Sequence, residues 1–220
     1  MPARLRPTAP IAAAALLVGD PGRALMLAQE LLEAPKMSNH ARGLWGYTGA
    51  TPAGEPLTIQ ATGMGGPSAA VVLADLAELG VRRAVRIGTA AAVGTAARLG
   101  ELLLVDEAHA WDGQSRASRA IRPEPALTGA LERRLGGRAR RAAIVSLDTL
   151  HRPGEDPPQG VAADMQTATL LVRAGELAIA AAAVLVVTEA AGSEPLGDEE
   201  LTEKAKLAGE AASGALTRDL

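Results

Sequence analysis

Three short stretches combine charge or hydroxyl groups with backbone free to approach a ligand. Gly19-Asp20-Pro21-Gly22-Arg23 follows an apolar run and precedes a stretch of helical period, so the unpaired N–H groups of a helix start and one guanidinium converge there. Such a corner suits an anion, although a plain strand-to-helix turn with a solvated arginine fits the same residues. In Val85-Arg86-Ile87-Gly88-Thr89 a charged side chain stands inside a run that otherwise reads as a buried strand, followed by a glycine and a hydroxyl. A buried arginine needs a partner: an internal carboxylate is one solution, and an oxyanion held by Arg86 and Thr89 is the other. Gly63-Met64-Gly65-Gly66-Pro67-Ser68 lets the main chain come close to a ligand at the mouth of a helix, with Met64 as an adaptable apolar surface. A tight turn requiring positive φ explains those glycines equally well.

Positioning these residues takes alternating strands and helices. Apolar runs at about 12–18, 44–48, 57–62, 83–88, 101–106, 141–146 and 180–188 read as strands. Stretches of helical period fall at about 22–32, 68–79, 125–135, 167–174 and 198–216, the second opening after Pro67 and stopping at Gly80. That alternation predicts an α/β fold built around a mainly parallel or mixed sheet, and a length of 220 residues fits a single domain covering 1–220. Residues 146–160, rich in Pro, Gly and acid, have no periodicity and read as a loop that can border a pocket.

Composition narrows the chemistry. With 22 basic and 25 acidic residues and a formal net charge of −3, the chain lacks the positive field that nonspecific nucleic-acid binding requires. The absence of cysteine excludes disulfides and thiolate catalysis and removes the commonest zinc ligand, and nothing in the sequence calls for a metal or an organic cofactor. The apolar stretch 11–18 is too short to span a bilayer, so no membrane partner is expected and a cytoplasmic location is. Aromatic residues are limited to Trp45, Tyr47 and Trp111, so Ala, Leu and Val must pack the core and a flat ligand finds few rings to stack on.

Taken in order, Gly19-Asp20-Pro21 with Arg23, Asn39-His40-Ala41-Arg42-Gly43 before Trp45-Gly46-Tyr47-Thr48-Gly49, Gly63-Met64-Gly65 with Pro67-Ser68, and Arg86-Ile87-Gly88-Thr89 resemble the purine nucleoside and uridine phosphorylase family. The likeness is clear over about 16–106 and traceable beyond through Ser146-Leu147-Asp148, Ala163-Asp164-Met165-Gln166 and Val187-Thr188-Glu189. The resemblance implies a mixed twisted central sheet flanked by helices. It further implies a homo-oligomer, with a dimer as the minimal unit and a hexamer as a common form. Phosphate would be held by Gly19, Arg23, Arg86 and Thr89, with Arg42 contributed across the interface. Met64, Met165 and Gln166 would face the ribose, and Ala90, Ala91, Leu150 and Glu189 the base. The implied catalytic group is Glu189 with Arg23 and Arg86, and inorganic phosphate is the co-substrate.

Three differences from the family pattern bear on substrate choice. Gln166 stands where an acid is usual, which exchanges a charge-assisted bond for a neutral one; restoring glutamate there is expected to raise ribonucleoside turnover. Leu150 and His151 replace an aromatic pair, which lowers stacking on the base. No glutamine and arginine matching the uracil-reading pair occur in 151–159, which points to a purine-like base over uracil. Glu189 as a base-side acid competes with a plainer role as a solvent-exposed strand end. The leading expectation is phosphate-dependent cleavage of a ribonucleoside to free base and pentose 1-phosphate. A hydrolytic nucleosidase of the same fold, or a homologue that binds nucleoside and phosphate with impaired turnover, are the alternatives.

Overall fold

Strand β1 (Ala14–Val18) is apolar and buried at all five positions, a pattern that a strand covered on both faces produces. In the computed structural model, which describes residues 4–111, 120–148 and 160–217, β1 lies at the middle of a mixed sheet, parallel to β4 (Pro56–Ala61) on one side and to β5 (Arg83–Ala92) on the other. Beyond β4 the sheet continues antiparallel through β3 (Gly46–Ala50) to β2 (Glu33–Asn39) at the edge. On the other side β5 pairs with two strands, antiparallel with β8 (Ala162–Asp164) and parallel with β9 (Ala180–Glu189). β8 continues to β7 (Ala139–Leu147), β7 to β6 (Leu102–Trp111), and β6 back to β9. Half of the sheet therefore closes on itself, which removes its free edges, while β1, β4, β3 and β2 form an open wing.

Alternate side chains of β1 feed two cores. Leu16 and Val18 pack with α1 (Pro21–Leu31), α3 (Pro125–Leu135) and α5 (Asp198–Thr217). Ala15 and Leu17 point the other way, toward α2 (Gly66–Glu78) and α4 (Thr167–Glu176). The interior is made largely of Ala, Leu and Val, as composition required; fully enclosed Ala208, Ala212 and Ala215 let α5 lie close to the sheet. Among the described residues no helix is long and apolar enough to cross a membrane.

The α/β class and the mixed helix-flanked sheet agree with the sequence reading, and all five helices lie within two residues of their expected bounds. The strands were less completely foreseen. β2 and β8 were not expected, β5 and β6 run several residues beyond their expected ends, and β3 begins two residues later than 44. β2 alternates poorly because it is an edge strand whose first five residues are largely exposed, and β8 is only 3 residues long, too short to carry a period.

Candidate active site

The cavity lies where the parallel strands β1, β4, β5 and β9 end, the position at which an open α/β sheet offers a crevice to a ligand. β1 runs out at Val18 into Gly19 and Asp20. The Asp20 side chain caps α1 by accepting from the Arg23 N–H at 2.7 Å, and Pro21 supplies the fixed φ of a helix start. One turn in, the Arg23 side chain reaches the cavity. β4 ends in the turn Thr62-Gly63-Met64-Gly65, where the Thr62 N–H and hydroxyl both bond the Val18 carbonyl, at 2.7 and 3.0 Å, and lock this turn to the end of β1. Gly63 has φ of 71°, and a side chain on it would run into the Ser68 hydroxyl, which itself donates to the Thr62 carbonyl at 2.6 Å.

Gly19, Arg23, Arg86, Thr89, Met64, Met165, Gln166, Ala90, Ala91 and Glu189 all line this one cavity of about 410 Å³. Residues from five separate stretches of sequence thus meet in one place. Arg42 does not line it: that side chain is exposed, on a short turn (Ala41–Gly43) in which Arg42 itself has φ of 61°. The Asn39 amide holds this turn by donating to the carbonyls of Leu44 at 2.5 Å and Ala41 at 3.3 Å. Leu150 and His151 lie outside the described residues.

Arg86 has a protein partner at every face. Its side chain is 5% exposed, with Nη2 at 3.1 Å from Asp164 Oδ2, Nη1 donating to Gln166 Oε1 at 2.6 Å and Nε donating to Thr167 Oγ1 at 3.1 Å. Asp164 in turn accepts from the Thr167 N–H and hydroxyl and from the Ser146 hydroxyl. Both partners of the ion pair are therefore buried and hydrogen-bonded, which fixes the guanidinium in one orientation. The internal carboxylate and the oxyanion, two separate explanations of this arginine in the sequence, are geometrically compatible, since Arg86 pairs with Asp164 and still borders the cavity.

Arg23 differs. Among the described residues its guanidinium makes no ion pair or hydrogen bond, and only its main-chain N–H is engaged by Asp20. Burial pushes the Arg23 pKa down, the Asp20 carboxylate partly offsets this, and repulsion from Arg86 lowers it further. Two cations thus face the same hollow, and among the described residues Arg23 is balanced only by the attraction of Asp20, without a direct ion pair. Beside them β5 has an irregularity between Ala90 and Ala91 opposite Glu189 of β9, a bulge that redirects side chains at the cavity mouth. Glu189 is exposed there, at the end of its strand.

Asp164, Thr62, Ser146 and Thr167 form the support that the sequence left unassigned. One signal was available, because a buried arginine calls for a carboxylate somewhere in the chain. Gly88 belongs to the same support: a methyl group there would lie 2.6 Å from Arg86 Nη2 and 2.8 Å from Leu185 Cδ2. With Arg86 pinned at three atoms, Gly88→Ala is expected to displace the guanidinium and weaken phosphate binding about ten-fold while leaving the fold intact. Calorimetric titration with phosphate, alongside circular dichroism, checks this, and unchanged affinity would refute it.

A family model described as the phosphorylase superfamily matches residues 13–219. Over 94 residues the chain is 39% identical to a purine nucleoside phosphorylase of DeoD type from Oceanobacillus iheyensis; that stretch is 42% of this chain and 40% of the relative, so the match spans less than half of the relative's length. Two solved structures share the fold at a TM-score of 0.81, each covering 94% of this chain and 91% of the other. They are a uridine phosphorylase from Vibrio fischeri at 21% identity and a purine nucleoside phosphorylase from Toxoplasma gondii at 19%.

Proposed function

This chain belongs to the phosphorylase superfamily, and from that premise we propose that it cleaves a ribonucleoside with inorganic phosphate to give the free base and a pentose 1-phosphate. The observation that carries the reading is that Arg23, with no ion pair or hydrogen bond to its guanidinium among the described residues, lines the same cavity as the fixed Arg86 and repels it, an arrangement that an anion between them would relieve. Gly19 and Thr89 stand beside these cations, and the start of α1 adds its positive end.

In this reading phosphate is stripped of water and held by Arg23, Arg86, Thr89 and the Gly19 backbone. One phosphate oxygen then attacks C1′ of the pentose, bordered by Met64, Met165 and Gln166, while the bond from C1′ to the base nitrogen breaks. The electron pair of that bond goes to the base, which takes up a proton as it leaves. Arg42 of a second copy completes the phosphate site in a homo-oligomer. A purine-like base is favoured over uracil, supported by the likeness to a purine nucleoside phosphorylase over 94 residues.

The test offers inosine, guanosine, adenosine and uridine to purified protein with and without phosphate, and follows base and sugar products by chromatography. Base release that requires phosphate, with pentose 1-phosphate as co-product, is the expected result. Release of free pentose without phosphate would instead make the protein a nucleosidase. Silence across the panel, with phosphate still raising the melting temperature, would make it a binding homologue.

A further inference from the structure

We propose that Gln166 is a positioning residue, a neutral strut that ties Arg86 to the glycine-rich turn, and that the anion site works only while this side chain is an amide. The inference rests on the anion reading of the cavity. Gln166 is 3% exposed and stands at the entry to α4, where its side chain could have capped the helix but does not. Its Oε1 instead accepts from Arg86 Nη1 at 2.6 Å and lies 3.1 Å from the Thr62 hydroxyl, while its Nε2 donates to the Gly63 carbonyl at 2.5 Å. The partners fix which end is which: a guanidinium can only donate and a main-chain carbonyl can only accept, so the amide cannot be turned over. One side chain therefore spans from β5 to the turn after β4, the two walls on which Arg86 and Met64 meet the cavity.

A carboxylate cannot do this. One of its oxygens could replace Oε1 beside Arg86, but the other would face the Gly63 carbonyl at a hydrogen-bond distance with no proton between them. It would also bring a second negative charge to a guanidinium already paired with Asp164. The charged groups around the cavity are Arg86 on β5, Asp164 on β8, Asp20 and Arg23 at the start of α1, and Glu189 at the end of β9. Two cations against three carboxylates leave a formal charge of −1 in this wall, so one further acid doubles the negative charge and opposes an entering anion more strongly. The glutamine is thus the residue that lets a buried network hold its arginine without surrendering that arginine's charge. Gln166→Glu is accordingly expected to impair the site, the opposite of what the sequence alone suggests.

The test is calorimetric titration of sulfate, which does not itself titrate in the range used, and of phosphate into the wild-type chain and into Gln166→Glu and Gln166→Met. At about pH 8 the Gln166→Glu variant is expected to bind sulfate about ten-fold more weakly than wild type, and at about pH 4.5, near the ordinary glutamate pKa, the gap should narrow several-fold, because a protonated carboxyl can donate to the Gly63 carbonyl. Gln166→Met, similar in length but without polar atoms, should lose about as much affinity at both pH values. If Gln166→Glu does not fold, the Gln166→Met result decides. Wild-type affinity in either variant at pH 8, or an equal deficit of Gln166→Glu at both pH values, overturns the strut. Failure of the wild-type chain to bind either anion refutes the anion site itself and the strut with it, a result distinct from wild-type binding that the variants share.

Discussion

Arg86→Met is expected to remove anion binding, lower turnover about 100- to 1,000-fold, and lower the unfolding free energy by about 3–5 kcal/mol. The two losses have different origins. The first follows because Arg86 is the fixed cation of the cavity, held by Asp164, Gln166 and Thr167 at the position where an oxyanion would enter. The second follows because Asp164, whose side chain is 1% exposed, would be left as a buried charge without its counter-ion. A double variant separates them. In Arg86→Met with Asp164→Asn no uncompensated charge remains, and the new amide can still accept from Thr167 and Ser146, so most of the stability should return while anion binding and turnover stay lost. Chemical denaturation of the two single variants and the double gives the coupling energy. A double variant no more stable than Arg86→Met alone would show that Asp164 is not the source of the strain, and phosphate affinity surviving in either would exclude Arg86 from the anion site.

The sequence announced the cavity better than it announced what supports it. Gly19, Arg23, Gly63, Met64, Arg86 and Thr89 could be picked out because each interrupts a local pattern: a glycine or a charge sits where an apolar strand should continue or a helix should begin. Local interruptions survive in a linear reading, and the parallel strands then bring their ends together as the βα rule requires. Asp164, Thr62, Ser146 and Thr167 interrupt nothing. Each is an ordinary polar residue near an element boundary, and what it does depends on a partner as far as 104 positions away, as Thr62 and Gln166 show. Gln166 illustrates the limit most directly. By type it is a weaker sugar acceptor than an acid, and only the coordinates reveal that its nitrogen faces a carbonyl and its oxygen a guanidinium.

A similar divide separates the strands that were found from those that were not. β1, β4, β5 and β9 carry buried apolar runs that no helix of that length would use, whereas β2 places Glu33 and Lys36 on an exposed edge and β8 contributes three residues to close the ring. Closure of a sheet is a property of pairing between distant strands, and no single strand's composition encodes it. The ring still has a consequence at the site, since β8 is the strand that delivers Asp164 to Arg86.

Arg23→Met is expected to separate function from stability in the opposite sense to Arg86→Met. The folded chain holds the Arg23 proton less tightly than an unfolded chain does, chiefly through burial, which the attraction of Asp20 offsets only in part and a smaller repulsion from Arg86 reinforces. For a base, a lowered folded-state pKa means that the charged form opposes folding at every pH below its titration, and for arginine this covers the whole working range. Removing the charge should therefore leave the ligand-free chain as stable as wild type or more so, within about 1 kcal/mol. Anion affinity should fall about ten- to a hundred-fold, because among the described residues this guanidinium has no hydrogen-bonded partner and its donors are available to the ligand. The melting curves should then cross: the variant melts at or above wild type without phosphate, and below it once phosphate reaches about 100 times the wild-type dissociation constant, where binding contributes roughly 2.7 kcal/mol to wild type. Scanning calorimetry across a phosphate series shows the crossing directly. A variant destabilised without phosphate, yet gaining as much from phosphate as wild type does, would mean that Arg23 serves the fold and not the anion.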